Sequence, residues 1–216
     1  MMRKIPKNIF MCHKTVSYIQ KYSQNWTRLN PEMKVYLYDD EACIKFLLEK
    51  FTKLHCDIFR FIPDGPIKCD FWRVCVLYYY GGIYVDADVE PLIPLKDFVE
   101  PGIDFLTCKS YNAGYNPHFM ISTPGNIILK NCIDTYVSFY LKKKEYGYWT
   151  WSICHIMHIS GIGDTEGIYY VGGKKIQLIK ENYGNDYYDN NCSYKGIRVL
   201  NNRYINYNYE KHTFHN

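Results

Sequence analysis

The sequence predicts a single α/β domain built on a Rossmann-like, mostly parallel central sheet. Three observations carry that prediction. Short β-rich runs alternate with helical stretches through the first half of the chain, an order that folds as strands covered by crossover helices. The 216 residues suit one compact domain and are tight for two. An apolar content of 47% supplies a sizeable core, and 22% charged residues suit an ordinary globular surface. Collagen-like, coiled-coil and disordered classes are excluded. The domain is expected to run over residues 1–216, since no repeat or low-complexity linker divides it.

Ile5 to Cys12 reads as a first buried strand, with Pro6 near its start. Ser17 to Leu29 has helical spacing and stops before Asn30-Pro31, a helix-breaking pair. Met33 to Tyr38 reads as a second strand. Asp39-Asp40 then supplies an N-cap for a helix over Glu41 to Phe51, because a carboxylate there accepts from the free N–H groups of the first turn. Pro66 to Tyr80 predicts a long helix, stopped at Gly81-Gly82, where one glycine can take the left-handed cap. Ile83 to Ala87, Asp104 to Cys108 and His118 to Ser122 are short strands, and Gly125 to Leu141 is helical again. Gly172-Gly173, between Ile168–Val171 and Ile176–Ile179, reads as a hairpin turn. From Asn182 onward the chain is polar and rich in Asn and Tyr. It is expected to form a C-terminal loop that serves as an active-site lid.

The net charge of +4 tolerates a phosphate-bearing ligand, but no Lys/Arg stripe marks a nucleic-acid partner. Lys142-Lys143-Lys144 reads as a solvated helix end. The 23 tyrosines suit sugar and nucleotide surfaces, and equally an A/T-rich genome such as that of a bacterium or a large DNA virus. Met1 to Met11 lacks an apolar run long enough for a signal peptide, and no window approaches the roughly 18 apolar residues of a membrane span. A cytoplasmic protein is expected. The nine cysteines contain no C-x-x-C pair and read as buried reduced thiols, not as a zinc site.

Chemistry concentrates between Cys69 and Asp88. Side chains alternate along a strand, so Tyr84, Asp86 and Asp88 are expected to share one face while Ile83, Val85 and Ala87 enter the core. Two carboxylates then sit together at the carboxyl end of a buried strand, where open α/β sheets bind ligands. Like charges this close repel unless a cation lies between them, and Mg²⁺ or Mn²⁺ takes carboxylate oxygens while leaving positions for phosphates. Upstream, Asp70 and Arg73 are three apart on a helix and can pair; the arginine fork suits phosphate or hydroxyls. His155 and His158 are also three apart on an expected helix, but no third ligand accompanies them, and they read as packed or surface residues.

Asp70-Phe71-Trp72-Arg73, followed by Leu77-Tyr78-Tyr79-Tyr80-Gly81-Gly82-Ile83-Tyr84-Val85-Asp86-Ala87-Asp88, resembles the core of the DXD-containing sugar-transferase family, glycosyltransferase family 32. That family includes Golgi mannosyltransferases and is related to the glucosyltransferase domains of large bacterial toxins. The resemblance extends to Ile5-Pro6-Lys7-Asn8-Ile9, to Trp26 with Asn30-Pro31, to Tyr115 through Met120 and to His212. It implies a GT-A fold, a Mn²⁺ or Mg²⁺ cofactor, a nucleotide diphosphate sugar donor and retention of anomeric configuration. By position, Asp88 would ligate the metal and Asp86 would contact the ribose and the metal's water shell. Asp70 and Arg73 would hold the sugar hydroxyls, and His212 would touch the metal or a phosphate. His13 stands near the place where relatives carry a base-stacking Trp, and Tyr84 joins the donor-site set. A UDP-sugar is the preferred donor, with GDP-mannose the alternative; the acceptor is a glycan, protein or lipid.

Two other readings compete. A degenerate binding module would hold nucleotide or glycan without turnover. An aspartate-nucleophile phosphatase also uses D-x-D, but Glu90 stands where its pattern wants Thr or Val.

Overall fold

The computed structural model describes residues 5–111, 114–159, 161, 163–184 and 190–203 in full, and 207–208 and 213–214 as backbone alone. The chain opens with β1 (Asn8–Cys12), α1 (Val16–Leu29), β2 (Lys34–Tyr38), α2 (Asp40–Lys50) and α3 (Lys53–Phe61). Next come α4 (Gly65–Tyr80), β3 (Gly82–Val85) and β4 (Glu90–Pro91). A 3-10 turn at Leu95–Asp97 leads to β5 (Phe105–Lys109), β6 (Tyr115–Ser122) and α5 (Ile127–Leu141). Two short helices follow, α6 (Tyr148–Trp151) and α7 (Ile153–Ile156). The last part holds β7 (Gly167–Val171), β8 (Lys174–Asn182), β9 (Asn191–Tyr194) and β10 (Ile197–Asn201), with β11 (Tyr207–Asn208) and β12 (Thr213–Phe214) paired separately.

The main sheet has ten strands in the order β2-β1-β3-β6-β5-β8-β9-β10-β4, and β7 pairs the first half of β8. The α/β class stands, but the expectation of a mostly parallel sheet is corrected. Among the described residues, only β1–β2, β1–β3 and β5–β8 run parallel, and the other pairs are antiparallel. The reason is connection length: β7–β8 and β9–β10 are joined by two-residue turns, far too short for the crossover a parallel pair needs. The tail is corrected likewise. Asn182 ends a long strand, and Asn191 to Asn201 forms a hairpin through Lys195-Gly196, both at positive φ (51° and 75°).

Strand order also forces a curl. Six strand-to-strand steps of about 4.8 Å would separate β3 from β4 by about 29 Å in a flat sheet. Yet five Cα steps from Val85 to Glu90 span at most about 18 Å. The sheet must bend until its far edge returns beside β3. Asp86 to Val89 bridge that seam.

Each face of the sheet has its own core. One gathers Phe10, Phe59, Phe71, Trp72, Tyr84, Tyr136 and Trp151 beneath α2 to α5. The other gathers Ile9, Met11, Trp26, Val85, Phe119, Ile179 and Leu200, with α1 across it. Among the described residues, no helix is long and apolar enough to cross a membrane.

Candidate active site

Helix α4 is apolar nearly all round and buried from Asp70 through Leu77, as expected of a helix packed on several sides. Charges placed there must be paired. Arg73 Nη2 lies 2.7 Å from Asp70 Oδ1 and 3.0 Å from Asp86 Oδ1. Its Nη1 donates to the Pro117 carbonyl at 2.6 Å, and its guanidinium stands 4.4 Å from the Tyr84 ring centroid. The other Asp70 oxygen accepts from the Ile153 N–H at 3.0 Å and, more weakly, from Ser152 Oγ at 3.4 Å. One arginine thus ties α4, the end of β3, β6 and α7 together.

The turn from α4 into β3 works only with glycine. Gly81 and Gly82 have φ of 65° and 102°. A Cβ at Gly81 would meet Pro124 Cδ at 2.6 Å, and one at Gly82 would meet the Asn8 carbonyl at 2.7 Å. That closeness delivers β3 directly beside β1, with Ile9 opposite Ile83 and Phe10 opposite Tyr84.

Strand β3 ends at Val85, so Asp86 and Asp88 sit in the bend just past its carboxyl end. The expected alternation holds, with Ile83, Val85 and Ala87 in one core and Tyr84 on the Asp86 side, where it is fully enclosed in the other core. From there its hydroxyl donates to Asp86 Oδ1 at 2.7 Å. Tyr84 therefore positions Asp86 from behind and does not line the cavity. Strand β6 runs past the end of β3, and the His118 carbonyl accepts from the Asp86 N–H at 2.8 Å.

The electrostatics of the group are unbalanced. Burial works against the Arg73 charge, but Asp86 and Asp70 outweigh it and keep the guanidinium protonated. Burial pushes Asp70 up to about 6, with Asp86 adding and Arg73 opposing. Burial, then the Asp86 carboxylate, pushes Asp88 up to about 7. Asp88 has no ion-pair partner among the described residues. Arg203, which lines the same cavity, and His118 pull the Asp88 value down, but burial and Asp86 outweigh them, so this half-buried carboxylate beside another is a place that favours a bound cation.

Asp70, Arg73, Asp86 and Asp88 line one cavity of about 740 Å³. Sequence reasoning missed the rest of its wall. His118 lines it, with Nε2 3.3 Å from Cys192 Sγ and Nδ1 without a partner among the described residues. Glu181 lines it too, 2% exposed, accepting from Ser110 Oγ at 3.0 Å, Asn116 Nδ2 at 2.8 Å and Asn202 Nδ2 at 2.9 Å. Trp149 also lines it and is 66% exposed, offering an aromatic face to a ligand. A charge inside a strand as apolar as Ile176–Ile179 was the available signal for Glu181.

Other expected residues fall elsewhere. His13 lies one residue past β1, buried, with Nδ1 accepting from the Thr15 N–H at 3.0 Å, and it does not line this cavity. His212 lies outside the described residues. His155, by contrast, is the third residue of the four-residue α7 and lines the cavity, while His158 lies beyond that helix; both are exposed and they do not share a helix face.

Comparison with known proteins adds the following. The family described as glycosyltransferase sugar-binding region containing DXD motif matches residues 17–105, the segment that holds Asp70, Arg73, Asp86 and Asp88. The chain is 33% identical over 82 residues to the initiation-specific alpha-1,6-mannosyltransferase of Candida albicans, covering 37% of this chain and 21% of that protein. It is 25% identical over 150 residues to inositol phosphoceramide mannosyltransferase 1 of Schizosaccharomyces pombe, covering 64% of this chain and 44% of that one. The chain thus spans less than half the length of these relatives. Among solved structures, PaToxG glycosyltransferase superposes with a TM-score of 0.56 at 19% identity, over 71% of this chain and 68% of that one, which shows a shared fold.

Proposed function

We propose that this chain, which carries a DXD-containing glycosyltransferase sugar-binding region at residues 17–105, transfers a sugar from a nucleotide diphosphate sugar to an acceptor hydroxyl. The observation that carries the reading is the neighbouring carboxylate pair, Asp86 and Asp88, at the wall of a cavity large enough for such a donor.

The donor set fits a hard divalent cation, Mn²⁺ or Mg²⁺. Asp88 would hold it directly, and Asp86, whose Oδ1 is occupied by Tyr84 and Arg73, would contribute through its remaining oxygen. Bound there, the cation would neutralise the diphosphate leaving group. The chain's own residues do the positioning. Arg73 and Tyr84 fix the Asp86 rotamer before any ligand arrives, so no reorganisation is needed during the reaction. Asp70, held by Arg73 and the α7 main chain, presents an acceptor to sugar hydroxyls. Trp149 at the mouth of the cavity would stack on the base or the sugar ring.

The relatives named as mannosyltransferases favour mannose over the glucose-type sugars expected from a UDP donor. GDP-mannose and UDP-sugars are therefore the two arms of the test. Retention of configuration belongs to the same proposal, with a glycan, protein or lipid hydroxyl as acceptor. Calorimetric titration with UDP and GDP, in Mn²⁺ and then in EDTA, should give metal-dependent binding of one nucleotide. The Asp86→Ala/Asp88→Ala variant should lose it. Binding of neither nucleotide in the presence of metal would end the transferase reading. Binding without release of nucleotide diphosphate from the matching sugar donor would leave a binding module.

A further inference from the structure

A second cluster of ligand-type side chains lies in the inner core, apart from the two aspartates. Cys108 comes from β5, His118 from β6 and Cys192 from β9. Cys108 Sγ and Cys192 Sγ are 3.2 Å apart, and Cys192 Sγ is 3.3 Å from His118 Nε2. One donor atom from each of the three lies within 4.8 Å of the others, and all three residues are buried. None of them is used by the chemistry described above, although His118 also touches the cavity wall.

We infer that Cys108, His118 and Cys192 form a structural zinc site that ties three strands of the curled sheet together. Two thiolates and an imidazole are borderline-soft donors that select Zn²⁺ over the hard Mn²⁺ or Mg²⁺ suited to the aspartates. Around a tetrahedral zinc with bonds of about 2.3 Å to sulfur and about 2.0 Å to nitrogen, donor atoms stand roughly 3.5–3.8 Å apart. The two separations that involve Cys192 are within about half an ångström of that arrangement, and the third pair lies within 4.8 Å. A fourth ligand is at hand. Asn202 Oδ1 lies 3.3 Å from Cys192 Sγ, and its Nδ2 is anchored on Glu181 Oε1 at 2.9 Å, so the amide already presents oxygen to the cluster. Spacing along the chain hid the site, because its ligands are brought together by the sheet and not by a C-x-x-C turn.

The site would do mechanical work for the cavity. The His118 carbonyl holds the Asp86 N–H, and Asn202 and Glu181 line the same wall. Zinc would brace that wall from behind.

The test is metal retention by the full chain, independent of any transfer activity. Protein equilibrated with Zn²⁺ and passed through gel filtration with a weak chelator should keep about one zinc per chain by elemental analysis. The Asp86→Ala/Asp88→Ala variant should keep it too, while Cys108→Ala and Cys192→Ala should lose it. Because either cysteine variant could simply misfold, Co²⁺ is added to the wild-type protein as a second readout. Near-ultraviolet thiolate-to-cobalt charge transfer with intense tetrahedral d–d bands is expected. No zinc retained by the wild type overturns the inference. So does zinc lost only with the aspartates, or a cobalt spectrum without the thiolate band.

Discussion

Arg73 decides more of the site than either aspartate, because it pairs with the buried Asp70 and the half-buried Asp86 and also donates to the Pro117 carbonyl. Arg73→Ala should lower unfolding free energy by about 3–5 kcal/mol, the usual cost of stranding buried charge, read by urea denaturation. Arg73→Lys should recover only part, since a point charge cannot reach Asp70, Asp86 and Pro117 with a planar fork. Asp88 sets the pH response. Burial and Asp86 hold its carboxyl up at about 7, so a proton would compete with the proposed cation below that value. Metal-dependent nucleotide binding should weaken about tenfold per unit below about pH 7 and level off above it. A flat calorimetric profile from about pH 5.5 to about pH 8 would contradict the role given to Asp88. Stability runs the opposite way. Asp70 and Asp88 have raised folded values, so their contribution is fully present below the ordinary carboxylate range. It is lost as pH rises through about 6 and about 7. Metal-free protein should therefore melt lower at about pH 8 than at about pH 5, with Mn²⁺ restoring the difference. Asp70, Arg73, Asp86 and Asp88 were legible because one helix, one turn and one strand hold them together in sequence. His118 and Glu181 were not, since only the pairing of β5, β6, β8 and β9 makes them neighbours.

The elements most legible in sequence were those with a local stop signal. Asp39 caps α2 by accepting from the Ala42 N–H at 2.8 Å, and Asn30 closes α1 through the Trp26 carbonyl. Helix α3 escaped notice: it has nine residues, and its buried Cys56, Ile58 and Phe59 gain stability from docking, not from propensity. The β9–β10 hairpin escaped because Lys195-Gly196 is a weaker turn signal than Gly172-Gly173. Glycine substitutions separate conformational strain from crowding. Gly172→Ala, at φ 55° with open space around it, should cost about 1–2 kcal/mol. Gly82→Ala adds a collision with the Asn8 carbonyl at 2.7 Å and should cost on the order of 2–4 kcal/mol, with the nucleotide site disturbed as well. Thermal melts of the two variants side by side check the ordering.

At the scale of the molecule, the two cores share one sheet and should fail together. Urea transitions followed by tryptophan fluorescence and by far-ultraviolet circular dichroism should coincide. A Trp26→Phe/Trp149→Phe variant leaves the indoles of Trp72 and Trp151 to report the helix-covered core, and its midpoint should agree with the backbone signal. Separate transitions would mean two independent units. The α/β class was legible from the alternation of elements, but the curl was not. Nothing local announces that Glu90-Pro91 pairs with Leu200 and Asn201, at the far end of the sheet. That pairing turns Asp86 to Val89 into the buckle of a hoop whose circumference they set. The interval between the two aspartates is thus a mechanical dimension as well as a chemical one. A glycine inserted between Ala87 and Asp88 would slacken the hoop, releasing the β4–β10 pairing and the cation together.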